Sequence, residues 1–301
     1  MKNHCPRLSA QILSLSLILL AGTLTLSACK QPLTLPWMKP STPEATQGVE
    51  GKQTETDDQL AAKNAEATAL PAPSGQKRAK LDSETKKIFD AAVVESKKKN
   101  WAAAIDGYKK VLMKLPTHVE SLANLGWMYA EEKKWNEAKD NLMKALAIDA
   151  YDPTALANLG WVYAEEKEWD KALFVLKRAV KSDPKHVGAY TNLGWAHAAK
   201  AQWAESISAS KKAIALDPNN VYAYVNLGWA LNGQNKKTEA LNAYQKVIAL
   251  DAKNMQAHLA IGTIYCEEGK KEQALSQSKI LFASDPGLGT QLNNRIAKGC
   301  P

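Results

Sequence analysis

The apolar and polar positions of this chain fall into three regimes. From Leu8 to Leu26 apolar residues run almost unbroken behind a short basic start at Lys2 and Arg7. From Lys30 to Glu84 large apolar residues are sparse, and Pro32, Pro36, Pro40, Pro43, Pro71 and Pro73 punctuate a stretch of Thr, Gln, Ala and Glu. Beyond it a pattern recurs every 34 residues, with Asn-Leu-Gly-Trp beginning at Asn124, Asn158, Asn192 and Asn226. A fixed period of this length marks an array in which no unit buries its apolar face alone and each is stabilised by its neighbours.

In one register the units are 85–118, 119–152, 153–186, 187–220, 221–254 and 255–288. The eighth place holds Gly126, Gly160, Gly194, Gly228 and Gly262, with Ala92 in the first unit. The twentieth holds Ala104, Ala138, Ala172, Ala240 and Ala274, with Ser206 as the exception. Small residues at both places predict two helices per unit that cross closely there. Trp101, Trp135, Trp169 and Trp203 at the seventeenth place open the second helix and wedge between units. Pro116, Pro184, Pro218 and Pro286 stop it. Residues 289–301, starting near Leu288, read as one more helix that caps the apolar end of the stack.

This pattern resembles the tetratricopeptide repeat family over about 200 residues without a gap. The resemblance implies an all-α, right-handed superhelical solenoid of six helix–turn–helix repeats plus a C-terminal capping helix. First helices would line the concave face and second helices the convex one. It also places the ninth position of each unit in the groove, where this chain has Trp127, Trp161, Trp195 and Trp229. Beside them stand Asn124, Asn158, Asn192 and Asn226. Equivalent places on neighbouring first helices are about 10 Å apart, so the indoles would form a ladder. Aromatic faces and amides suit an extended peptide or a sugar chain; the alternative is that each Trp packs against the next helix and each Asn braces it. A carboxylate clamp of the chaperone-binding kind is not expected, because Ala123, Ala157, Thr191 and Val225 stand where its Lys would be needed.

The first regime reads as an export signal, with small residues ahead of a cleavage point. Leu26-Ser27-Ala28-Cys29 resembles the lipobox of bacterial lipoproteins. The resemblance implies that 1–28 is a signal peptide, that Cys29 is acylated, and, with Lys30 rather than Asp next, that the protein goes to the outer membrane with its repeats facing the periplasm. Residues 29–84 cannot bury enough surface to offset the entropy of ordering and read as a disordered tether with a reach of roughly 40 Å.

Charge and chemistry change this picture little. The net charge is +8, and lysines gather in turn clusters such as Lys97-Lys98-Lys99, Lys133-Lys134, Lys236-Lys237 and Lys270-Lys271. Solvated turns explain them, with an anionic polymer or membrane surface as the alternative. Nucleic acid is not an expected partner for an exported chain. No metal-ligand motif or phosphate-cradling glycine loop is present, and His118, His186, His197 and His258 are isolated. The pairs Glu131-Glu132, Glu165-Glu166 and Glu267-Glu268 point in different directions on a helix. No enzyme activity, cofactor or metal is expected. Of the four cysteines, Cys5 leaves with the signal and Cys29 is taken by lipid, so Cys266 and Cys300 remain to pair in an oxidising compartment. They lie one period apart, and a bridge requires the chain to bend at Gly299.

These observations point to a non-enzymatic scaffold in envelope assembly or secretion, similar in layout to the lipoproteins that pilot pilus secretins. It would hold an envelope protein or extended peptide segment in its Trp/Asn groove. The alternative is a polysaccharide-binding or exopolysaccharide-export module.

Overall fold

A computed structural model describes residues 70–72 and 74–299. Cys29, its signal peptide and Cys300 lie outside the described residues. Among them are thirteen helices and no strand. They form six antiparallel pairs: α1 Ser83–Lys97 with α2 Trp101–Lys114, α3 Val119–Glu131 with α4 Trp135–Ile148, α5 Pro153–Glu165 with α6 Trp169–Ser182, α7 Val187–Ala199 with α8 Trp203–Leu216, α9 Val221–Gly233 with α10 Lys237–Leu250, and α11 Met255–Glu267 with α12 Lys271–Ser284. A last helix, α13 Pro286–Ala297, closes the stack. Each helix packs on the next, and from the second unit onward each first helix also packs on the first helix of the following unit. The fold is the all-α superhelical solenoid expected from the repeat.

The eighth-place glycines are required by the crossing inside each unit. A Cβ on Gly160 would come within 2.4 Å of Leu176 Cγ, and one on Gly228 within 2.8 Å of the Tyr244 ring. The first unit solves the same problem in reverse. Ala92 occupies the eighth place because Gly107 faces it, where an added Cβ would meet Ala92 Cβ at 2.6 Å. Ser206, the exception at the twentieth place, is fully buried and donates its hydroxyl to the Gly194 carbonyl at 2.8 Å.

The turn between the two helices of every unit has one geometry. Lys99, Lys133, Lys167, Ala201, Asn235 and Gly269 all adopt positive φ, between 56° and 73°. In the second unit Lys133 N–H bonds Ala130 O and Lys134 N–H bonds Tyr129 O, the paired arrangement that satisfies carbonyls at a helix C-terminus. The other five turns repeat these two bonds. Of the lysine clusters, Lys99 and Lys133 take this turn conformation whereas Lys97, Lys237 and Lys271 end or begin helices, and five of the six turns carry a side chain where glycine is favoured. At the opposite turns, helix starts are capped by His118, Asp152, His186, Asn220 and Asn254, each accepting an N–H of the following first helix.

Two boundaries differ from the sequence expectation. The cap begins at Pro286 rather than near Leu288, because Asp285 ends α12 and at once caps α13, accepting from Gly287 N and Leu288 N. Proline fits the first helical position, where its missing N–H is not needed. Residues 70–72 and 74–82, expected to be unstructured tether, lie against the solenoid. Leu70 packs on the core of the central units, and Arg78 forms ion pairs with Glu120, Asp149 and Asp152. Apolar and charged anchors together offset the cost of ordering a segment whose composition reads as tether.

Candidate partner-binding site

The four ninth-place indoles occupy the third turn of α3, α5, α7 and α9, one per unit. Trp127, Trp161 and Trp195 are half-buried, whereas Trp229 is 8 % exposed. Three of them meet the seventeenth-place indole of the preceding unit edge to face. Trp101 and Trp127 have centroids 6.1 Å apart, Trp169 and Trp195 5.6 Å, and Trp203 and Trp229 6.4 Å, with interplanar angles of 64°, 83° and 62°. Such pairs contribute about 0.5–1.5 kcal/mol beyond the area they bury. The ladder is thus partly a set of joints between units, and the half-exposed portions of Trp127, Trp161 and Trp195 are what remains for a partner.

The indole N–H groups are treated unequally. Trp127 donates to Glu131 Oε1 at 3.3 Å, and Trp161 bonds the Glu165 side chain one unit later. Trp195, with Ala199 at the corresponding place, has a buried Nε1 with no hydrogen-bond partner. A buried donor left without a partner costs about 1–3 kcal/mol.

The asparagines beside the ladder brace the stack. Asn158 Nδ2 donates to Ala123 O at 3.3 Å, Asn192 Nδ2 to Ala157 O at 3.4 Å, and Asn226 Nδ2 to Thr191 O at 2.9 Å. Each reaches a carbonyl on the first helix of the preceding unit and fixes the spacing of neighbouring helices. Asn226 is buried, and Asn158 and Asn192 are half-buried. Asn124 instead bonds the Tyr108 hydroxyl, whose pKa burial pushes up. The sequence placed all eight residues in one register, but not this allocation of donors, which depends on which carbonyl lies opposite. Position offered one signal: a residue recurring at the same place in successive units faces its own copy's helix, so a short polar side chain there reaches a backbone group.

Cys266, 1 % exposed in α11, is disulfide-bonded. Gly299 adopts φ +104°, a bend open to glycine at the place where the proposed bridge requires one. Among the described residues no group of three or more His, Cys, Asp or Glu is placed to hold a metal ion, and no helix is long and apolar enough to cross a membrane. Burial lowers the pKa of His118 and of His197. His118 Nδ1 lies 2.9 Å from Ser121 Oγ, and His197 Nδ1 lies 2.7 Å from Gln202 Oε1, so both serve structural hydrogen bonds.

Models of the tetratricopeptide repeat match residues 129–194, 187–220 and 209–242. The matched stretch consists of tetratricopeptide repeats. Among solved structures, pilF of Pseudomonas aeruginosa is 19 % identical, with a TM-score of 0.62 over 71 % of this chain and 97 % of that one. PilW, described as a widely conserved type IV pilus biogenesis factor, is 16 % identical, with a TM-score of 0.61 over 68 % of this chain and 96 % of PilW. YrrB, described as a tetratricopeptide repeat protein with an unusual peptide-binding site, is 19 % identical, with a TM-score of 0.50 over 62 % of this chain and 97 % of YrrB. At these identities the likeness is one of fold. None of the curated proteins compared matches the chain. Tetratricopeptide repeats serve in general as scaffolds for protein interaction.

Proposed function

We propose that the protein is a non-enzymatic scaffold of a bacterial envelope, anchored by lipid on Cys29, that holds an extended protein segment along Trp127, Trp161 and Trp195. The observation that carries this reading is the partial exposure of three regularly spaced indoles on helices whose separation is fixed by Asn158 and Asn192. Rigid aromatic surfaces bind at low entropy cost because the bound geometry already exists. Trp229, nearly buried, contributes to the stack rather than to contact. Pilus assembly is the setting the fold suggests, by analogy with PilF and PilW. A polysaccharide ligand fits less well, since the amides that would pair with sugar hydroxyls are bonded to backbone carbonyls.

The test replaces Trp161 and Trp195 together by Leu, which keeps apolar bulk and removes the indole faces. Partner recovery from detergent-solubilised envelopes should fall while helicity and unfolding midpoint stay near wild type. Unchanged recovery from the folded variant rejects the site. The anchor is tested separately: mass spectrometry of the native N-terminus should find an acylated Cys29. We further infer that Cys266 pairs with Cys300, pinning the cap to unit six. Labelling without reductant should find neither thiol, and two reactive thiols per mature chain would reject the pairing.

A further inference from the structure

The segment ahead of α1 is held by three kinds of contact at once. Leu70 packs against the apolar core. Ser74 N–H donates to Ala147 O at 2.6 Å and Ala79 N–H donates to Thr117 O at 3.2 Å, so the strand takes carbonyls near the ends of α4 and α2. Gly75, at φ +72°, bends it between these points. Arg78 then spreads over three carboxylates: Nη1 to Asp149 Oδ2 at 2.9 Å, and Nη2 to Glu120 Oε1 at 2.7 Å and Asp152 Oδ2 at 3.2 Å. The Asp152 side chain is 7 % exposed, and its other oxygen caps α5 through Ala155 N at 2.8 Å.

This socket is singular in the repeat register. Glu120, Asp149 and Asp152 are the second, thirty-first and thirty-fourth places of the second unit. The first unit has Lys86, Leu115 and His118 there, and no later unit has more than one acid at the three places. A guanidinium therefore meets three carboxylates at one address on the edge of the stack. Apolar anchor, main-chain pairing and a forked cation are the components by which extended peptides are recognised in general.

We propose that the turn edge of the second unit is a docking site for an extended, arginine-bearing strand, separate from the indole ladder, and that residues 70–82 are its intramolecular ligand, a releasable strap. Released, it frees 13 residues, adding about 40 Å of extended reach, and opens the socket to a strand of the same chemistry on a partner.

Hydrogen exchange of the full-length chain tests the strap. Amides of Ser74 and Ala79 should be protected in the wild type, and Arg78→Ala should speed their exchange on the order of tenfold, as expected for partly exposed ion pairs. Protection of α3 through α13 should stay unchanged. Arg78→Lys should fall between the two, because an ammonium cannot fork over three carboxylates. A labelled peptide spanning residues 68–82, added in trans, should bind the Arg78→Ala chain more tightly than the wild type, whose site is filled. The same peptide lacking its arginine should not bind. Equal exchange of 70–82 in wild type and Arg78→Ala, or peptide binding indifferent to the arginine, overturns the proposal.

Discussion

The joint between the fourth and fifth units and the joint between the fifth and sixth are built from different materials. At the first, Trp203 packs edge to face on Trp229, Asn226 bonds Thr191 O, and Asn220 Nδ2 bonds Thr191 Oγ1 at 2.9 Å. Gly233 leaves room for the Trp203 ring, which a Cβ there would meet at 2.6 Å. At the second, the same places hold Lys237, Thr263 and Ala260. Besides helix packing and a contact of His258 Nε2 with Ala252 O at 3.1 Å, these units are linked by Lys237 to Glu267 at 3.4 Å, and Glu267 is shared with Arg295 of the cap at 2.6 Å. One interface adds an indole pair and an asparagine brace to its helix packing; the other adds partly exposed charges in their place. In a stack whose stability is a sum of units and joints, weakening one joint lets everything beyond it open separately. The sixth unit and the cap are thus the part expected to open first. The disulfide at Cys266 lies in this weaker end, where a covalent tie has most effect.

The sharpest way to break this comparison is to truncate one member of each joint. Trp229→Ala should cost about 3–5 kcal/mol, the usual range for removing a buried aromatic side chain. Lys237→Ala should cost at most about 1 kcal/mol. Urea unfolding of the two variants, followed by far-ultraviolet circular dichroism, measures both. Similar midpoints would mean that the two joints are equivalent after all.

A smaller effect concerns the N-terminal end. His118 caps α3 through Nδ1, which accepts Ser121 N–H at 3.2 Å and must be unprotonated to do so. Burial pushes its pKa below the ordinary 6.5, with nearby Glu120 opposing and Arg78 reinforcing the shift. A folded value below the unfolded one means that the stability is full above about pH 6.5 and is lost as the pH falls through the depressed value. His118→Asn, the cap that Asn220 and Asn254 provide in later units, should remove part of the acid sensitivity, worth about 1 kcal/mol. Melting temperatures at pH 7.5 and 5.5 for both chains decide it, and parallel slopes would refute it.

Ala201→Gly should raise stability by about 0.5–1 kcal/mol, since Ala201 sits at φ 56° where glycine is at ease. Its companion Gly269→Ala, at φ 73°, should lose a similar amount from the weaker end. Thermal melts of the two variants test the pair, and a destabilised Ala201→Gly would show that the turn tolerates its side chain without strain. Smallest of all, 1 M salt should speed exchange in α11 to α13 slightly, by a few tenths of a kcal/mol, and leave α7 and α9 untouched. Uniform changes along the stack would remove the distinction between ionic and apolar joints.

Much of this architecture was legible in the residues. The 34-residue register located both helices of every unit, the close crossings and the aromatic series, because each follows from a side chain's size at a repeated place. The candidate site was legible as a set of positions but not as a surface. Trp127 and Trp229 occupy identical places, yet one is half-buried and the other nearly buried. Neighbours differ from joint to joint: beside Trp229, Gly233 leaves room for the Trp203 ring against the helix, which a Cβ there would meet at 2.6 Å. Repetition shows which residues are equivalent; it does not show how far each departs from its equivalents.

By itself, then, the sequence determined the period, the helical class, the small residues at each crossing and the resemblance to tetratricopeptide repeats, because these depend on local spacing and volume. Only the tertiary structure decided which Asn amides brace a neighbour, that five side chains and one glycine share a single turn geometry, and where residues 74–82 ahead of α1 lie. Arg78 and its carboxylates are 42 to 74 residues apart in the chain. No local pattern joins residues so distant; the antiparallel pairing of α3 and α4 brings the acids to one edge and gives a composition that reads as tether a fixed place to bind.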